Sequence, residues 1–195
     1  MIRIFKTEDG AMHEKEEMQP GCWIALTNPT ASEILEIADA CQIDPDHLKA
    51  PLDEEERSRI EAEDEYTLIL VDIPAIEIRH DQRTYTTIPL GIILTQDIIV
   101  TICTEDTPVL QNFVRSRVKE FSTKKKLRFV YQILYRTAAI YQANLRIIDK
   151  RRTEIEERVG SDTDDSDLIN LHELESTLVY FATSLRANGV VLDPL

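Results

Sequence analysis

The chain has 195 residues, 43% of them hydrophobic, and sets 36 acidic against 22 basic side chains for a formal charge of -14. That length and apolar content suffice for a sizeable core and exclude a disordered tail. The negative charge excludes a general nucleic-acid binder, because phosphate backbones select positive surfaces. No apolar run approaches the roughly 20 residues that cross a bilayer, and the first residues do not read as a basic-then-apolar leader. Cys22, Cys41 and Cys103 lie far apart without metal-ligand spacing, which points to a reducing compartment.

In chain order, residues 1–6 and 22–27 read as short strands separated by a charged segment around Glu14 to Glu17. Thr30 with Glu33 makes a capping box, so a helix starts there with Ile34, Ile37, Ala38 and Cys41 on its inner face. Pro45 opens a second short helix that Pro51 limits. The run from Tyr66 to Ile73 is apolar enough for a strand buried on both faces, and 84–90 alternates more weakly. Ile92 to Thr95 and Ile98 to Ile102, around Gln96-Asp97, predict a hairpin. Thr107-Pro108 is a helix start, a capping hydroxyl followed by proline at the first helical position.

From about residue 124 long helices take over. Leu127, Val130, Leu134, Ala138, Tyr141, Leu145, Ile148, Ile155 and Val159 recur at three and four, giving about nine turns. Gly160 is a natural stop. Leu171, Leu174, Leu178, Phe181 and Leu185 then form a heptad-like seam on a second helix. The fold class expected is α/β, a mixed twisted sheet with helices on both faces, followed by an antiparallel hairpin of long helices. The expected domains are residues 1–122 and 123–195.

Two acidic clusters are candidate cation sites. Asp53, Glu54, Glu55 and Glu56 could attract hydrated divalent ions, and the alternative is a solvated loop or helix end. Between the long helices, Asp162, Asp164, Asp165 and Glu173 can be counted as a twelve-residue calcium loop, with Asp162 first, Ser166 fifth, Ile169 eighth and Glu173 last. Asp167 then occupies the sixth position, where the turn needs glycine, so helix capping by these acids is the competing account. Arg115, Arg117, Lys119, Lys124, Lys125, Lys126 and Arg128 form one basic block, a candidate phosphate or headgroup patch with helix-end charge as the plainer reading. No enzyme is expected. His13, His47, His80 and His172 show no metalloprotease spacing, no glycine-rich phosphate loop is present, and Cys22 reads as core.

One set of residues goes further. Pro45, Leu48, Leu52, Arg57, Arg59, Ile60, Glu61 and Tyr66 follow one another without a gap; Trp23-Ile24 precedes them, and Ile93-Leu94-Thr95-Gln96-Asp97 follows. Tyr131, Tyr141, Leu145, Ile148, Asp149, Ile155, Glu156, Glu157 and Val159 continue the pattern along the first long helix. Together they resemble the N-terminal cytosolic domain of CorA-type magnesium and cobalt transporters. The resemblance implies that the helical hairpin begins a stalk, and that the domain senses cytosolic Mg2+ (with Co2+ or Ni2+ as further ions) and couples it to pore gating. It also implies a homopentamer on the cytoplasmic side of the cell membrane, attached through C-terminal transmembrane helices. The family's Gly-Met-Asn signature is not among these residues, so a soluble part truncated before those helices is expected, with a complete soluble relative as the alternative. Lys49 and Ala50 stand where the resemblance implies sensing carboxylates, and Asp53 to Glu56 are the expected substitutes. A soluble calcium-binding or scaffolding protein using the tip from Asp162 to Glu173 is the competing function.

Overall fold

The computed structural model describes residues 1–79, 82–159 and 165–194, with the side chains of Gln82 and Val159 left aside. The strands are β1 (Ile2–Glu8), β2 (Ala11–Lys15), β3 (Trp23–Thr27), β4 (Arg59–Ala62), β5 (Tyr66–Arg79), β6 (Gln82–Thr95) and β7 (Ile99–Cys103). The helices are α1 (Ala31–Cys41), α2 (Pro45–Lys49), α3 (Pro108–Val114), α4 (Lys126–Val159) and α5 (Asp165–Leu192), with a 3-10 turn at Ala50–Leu52. One seven-stranded sheet runs β2-β1-β3-β7-β6-β5-β4. It is mixed, because β3 and β7 pair in parallel while the other neighbours are antiparallel.

Local chemistry sets several boundaries as expected. Thr30 accepts from the Glu33 N–H while Glu33 accepts from the Thr30 N–H, closing the capping box of α1. Thr107 caps α3 ahead of Pro108. Pro51 does not simply stop α2. It sits in the first turn of the 3-10 segment that continues the chain, where its missing N–H costs nothing.

Alternation then builds two cores. Ile69, Val71 and Ile73 of β5 face α3, α4 and the end of α5 together with Phe5, Trp23, Phe113, Phe129 and Val191. Tyr66, Leu68 and Leu70 face α1 and α2 with Ile24, Ile37 and Leu48. Trp23 anchors the first core. Its Nε1 donates to Thr101 Oγ1 at 2.8 Å, and the Phe5 and Phe129 rings lie 5.0 Å away.

Four expectations need correction. β2 and β4 are strands where the sequence pattern predicts none; both are short edges, where charged side chains protect the open ladder. The predicted breaks after Ile73 and at Gly91 do not occur, and β5 and β6 form one long hairpin. Pro74 and Pro89 are tolerated because β4 pairs only as far as Leu70 and β7 only as far as Gly91. Beyond those points the hairpin is held by helices, with Tyr85 packed against Tyr141, Ile148 and Phe181.

The inward faces of the long helices agree with expectation only in part. Of the α4 residues expected inward, Val130, Tyr141, Ile148 and Ile155 are buried and Leu127 and Ala138 are exposed; Phe129, Ile133, Thr137 and Asn144 complete the buried stripe. Leu178 and Leu185 of α5 are also exposed, whereas Thr177, Phe181, Ser184, Asn188 and Val191 are buried. The reason is hydrogen bonding. Two residues past the end of its pairing with β4, Asp72 offers an N–H and a C=O with no strand beside them. Asn188 supplies both partners, accepting from the Asp72 N–H at 2.8 Å and donating to its carbonyl at 2.7 Å. Tyr141 donates to the same carbonyl at 3.1 Å, Ser184 bonds Thr87 at 3.1 Å, and Thr177 donates to the Tyr85 carbonyl at 3.3 Å. Side-chain clusters join α4 to α5 in antiparallel order, Tyr141 with Phe181 near one end and Arg158 with Asp167 at the other.

Two outcomes follow from this packing. A Cβ at Gly91 would sit 2.2 Å from Pro51 Cγ, a rigid ring in a buried turn. Gly91→Ala is therefore expected to lower stability by about 1–3 kcal/mol in denaturant titration. Burial also raises the Asp72 carboxyl above its ordinary value, against a smaller lowering from the Ser184 hydrogen bond. A folded value above the unfolded one means stability that is complete at acid pH and is lost as pH rises through the folded value. Asp72→Asn should accordingly raise the melting midpoint at pH 7 relative to wild type, with the difference vanishing near pH 3 when both forms are neutral.

Candidate metal centre

The acidic run expected to attract cations lies between the 3-10 turn and β4. Asp53, Glu54 and Glu55 are exposed and Glu56 is half-buried. Asp53 turns back to accept the Glu55 N–H at 3.0 Å, and Glu56 is bound by Arg59 and by the Arg57 N–H. These four carboxylates do not converge on a common point, as their spread along a turn dictates.

At the other cluster, Asp162 and Asp164 lie outside the described residues. Helix α5 begins at Asp165 and runs through Glu173, so those positions are helical. Asp167 is buried and lies 3.7 Å from Arg158. Glu173 lines a cavity of about 400 Å³ with Arg83, Arg151 and Asn170. In the basic block, Lys126 donates to the carbonyls of Thr95 and Gln96, tying α4 to the β6–β7 turn, and Arg128 pairs with Glu120. Cys22 is fully buried in the second core, and burial pushes its thiol up.

Three side chains that linear spacing did not connect do meet. Glu61, in β4, and Glu63, just beyond it, are two apart and so share a face. Glu61 pairs with Leu68, and the Glu63 N–H donates to the Tyr66 carbonyl at 2.8 Å, which puts both acids on the face where α2 packs. There α2 presents His47. Among the described residues, the ligand atoms of His47, Glu61 and Glu63 lie within 4.8 Å of one another. His47 Nε2 is 3.2 Å from Glu61 Oε2.

Neighbours hold each group in place. His47 Nδ1 meets the Tyr66 hydroxyl at 2.7 Å, and that oxygen also accepts the Asp44 N–H at 3.2 Å. The two rings pack edge to face at 5.7 Å. Arg59 bonds Glu61 through Nε and Glu56 through Nη1, so one guanidinium links the cluster to the acidic run. His47 and Glu61 are half-buried and Glu63 is exposed. The available signal in the sequence was the alternation of Glu61 and Glu63 ahead of a buried strand, with a histidine on the preceding helix.

Among the described residues, no helix is long and apolar enough to cross a membrane. The cobalt/magnesium transport protein CorA of Methanocaldococcus jannaschii is 27% identical over 179 residues, which cover 87% of this chain. The chain spans about half of that relative's length, 53%. The solved soluble domain of CorA from the same organism superposes with a TM-score of 0.85 at 24% identity, over 98% of this chain and 77% of that one. The cytoplasmic domain of ZntB from Vibrio parahaemolyticus has the same fold, with a TM-score of 0.69 at 14% identity over 97% of this chain and 76% of its own. The mixed sheet and long helices are those of the CorA soluble domain, and the model of the CorA-like Mg2+ transporter proteins matches residues 19–195: the chain belongs to that family.

Proposed function

We propose that this chain is the regulatory part of a divalent-cation channel, sensing Mg2+ on the cytoplasmic side and passing the signal to a pore formed by membrane helices of the same polypeptide. Homopentameric assembly and selectivity extending to Co2+ or Ni2+ belong to this reading. Residues 1–122 act as the sensing head and 123–195 as the helical arm that leads to the stalk. The family assignment supports it, together with the name and activity of the relative from Methanocaldococcus jannaschii.

The observation that carries the reading is the double bonding of Asn188. Besides Asp72 it accepts from Ser58 Oγ at 3.0 Å, at the end of the acidic run. A cation drawn to Asp53, Glu54, Glu55 and Glu56 therefore acts on a loop that is tied directly to α5. An ion biases the closed state only by binding it more tightly than the open one, so any shift of this loop with cation changes the equilibrium of α5. Lys49 is no ligand here; its Nζ pairs with Asp46 at 2.9 Å.

Thermal melting of the 195-residue chain tests this. Millimolar Mg2+ is expected to raise the midpoint by mass action, and neutralising Asp53 to Asn with Glu54, Glu55 and Glu56 to Gln should abolish the rise. An unchanged Mg2+ response in that variant would sink the sensing role of the loop. Asn188→Ala leaves the Asp72 N–H unpaired and should cost about 1–3 kcal/mol. Hydrogen exchange should then show α5 opening without a change in the β1–β2 hairpin.

A further inference from the structure

The geometry points to a second cation site with a different preference: we propose that His47, Glu61 and Glu63 bind a late first-row divalent cation of the cobalt, nickel or zinc class in preference to magnesium. This rests on the cluster itself and is independent of the Mg2+ reading above.

The donor set is one imidazole nitrogen and two carboxylate oxygens. Magnesium takes oxygen ligands in octahedral geometry and keeps much of its water, whereas imidazole suits the later transition metals. Size agrees as well. In a tetrahedral site with metal–ligand distances of about 2.0–2.2 Å, ligand atoms stand roughly 3.3–3.6 Å apart. His47 Nε2 and Glu61 Oε2 are already 3.2 Å apart, and all three ligand atoms fall within 4.8 Å. A small movement of the exposed Glu63 side chain closes the third position, and water completes the shell.

The surroundings are those a metal-ligating histidine needs. Coordination through Nε2 requires its lone pair, hence the tautomer with the proton on Nδ1. Tyr66 Oη, 2.7 Å away, accepts that proton's hydrogen bond while also accepting the Asp44 N–H, which leaves the phenol proton to turn aside. Without metal the opposite tautomer suits the same atoms, with Nε2–H donating to Glu61 and Nδ1 accepting from Tyr66. Binding thus exchanges one tautomer for the other, with Tyr66 Oη switching from donor to acceptor toward Nδ1. Arg59 fixes Glu61 by its other oxygen, an outer partner of the kind that sets ligand orientation and offsets one of the two negative charges.

Co2+ titration of the 195-residue chain, read by visible absorption and by thermal melting, tests the proposal. At about 0.1 mM, Co2+ and Zn2+ are expected to raise the melting midpoint by several degrees, with Mg2+ at the same concentration giving no shift. His47→Gln and Glu63→Gln should each weaken Co2+ binding at least about tenfold and change its absorption bands. Tyr66→Phe should weaken it about tenfold through the lost outer hydrogen bond. Neutralising Asp53, Glu54 and Glu55, none of which bonds Arg59, should leave the Co2+ response in place, which separates this site from the Mg2+ reading. A Co2+ response that survives Glu63→Gln, a Mg2+ shift equal to that of Co2+, or no Co2+ response at all would overturn the assignment. Because Glu63 is exposed, its variant decides the matter even if His47→Gln proves unstable.

Discussion

The structure turns on a missing strand neighbour. Strand β4 stops pairing with β5 at Leu70, and the N–H and carbonyl of Asp72 are left beside a helix instead of a strand. Buried backbone groups of this kind are costly unless paired, so the side chain opposite must be an amide or its equivalent. Asn188 meets that demand with one oxygen and one nitrogen, and it fixes how α5 lies along the sheet. Thr177 repeats the device about three turns earlier against the Tyr85 carbonyl, and Ser184, about one turn earlier, bonds the Thr87 hydroxyl. The inward face of α5 carries Thr177, Ser184 and Asn188 beside Phe181 and Val191 for this reason, and Leu178 and Leu185 are left to face outward.

Much of the fold could be read from the chain because its rules are local. The capping box at Thr30 and Glu33, the Thr107-Pro108 start and the β6–β7 turn each involve neighbours a few residues apart. The edge strands could not be read this way, since Ala11–Lys15 and Arg59–Ala62 carry charge where a hydropathy pattern looks for alternation. The polar part of the buried stripes of α4 and α5 is hidden in the sequence for a related reason, whereas Val130, Tyr141, Ile148, Ile155 and Phe181 follow the apolar spacing. Thr137, Asn144, Ser184 and Asn188 are buried polar residues whose value depends on partners far away in sequence. The cluster of His47 with Glu61 and Glu63 was hidden in the same manner, its ligands coming from two elements separated by the Pro51 turn and the acidic run.

Arg59 gives that region its unity. One side chain spans Glu56 and Glu61, so the loop that faces solvent and the strand that faces α2 share a counter-charge. Any ion that displaces Arg59 from either carboxylate alters the electrostatics of the other. The two cation readings are thus physically adjacent while drawing on different donor atoms.

The parallel pairing of β3 with β7 has a consequence in time. Trp23 finds its ladder partner at Ile99, and three strands and two helices must be laid down between them. Long-range parallel pairing bears a large loop-closure cost before it is rewarded, and such contacts form slowly. During synthesis the N-terminal hairpin therefore waits with one edge and the Trp23 ring uncovered until the β6–β7 turn has emerged, and the aromatic cluster with Phe113 and Phe129 closes later still. The nascent chain is most exposed to misassociation around Trp23, although the finished molecule buries that ring completely.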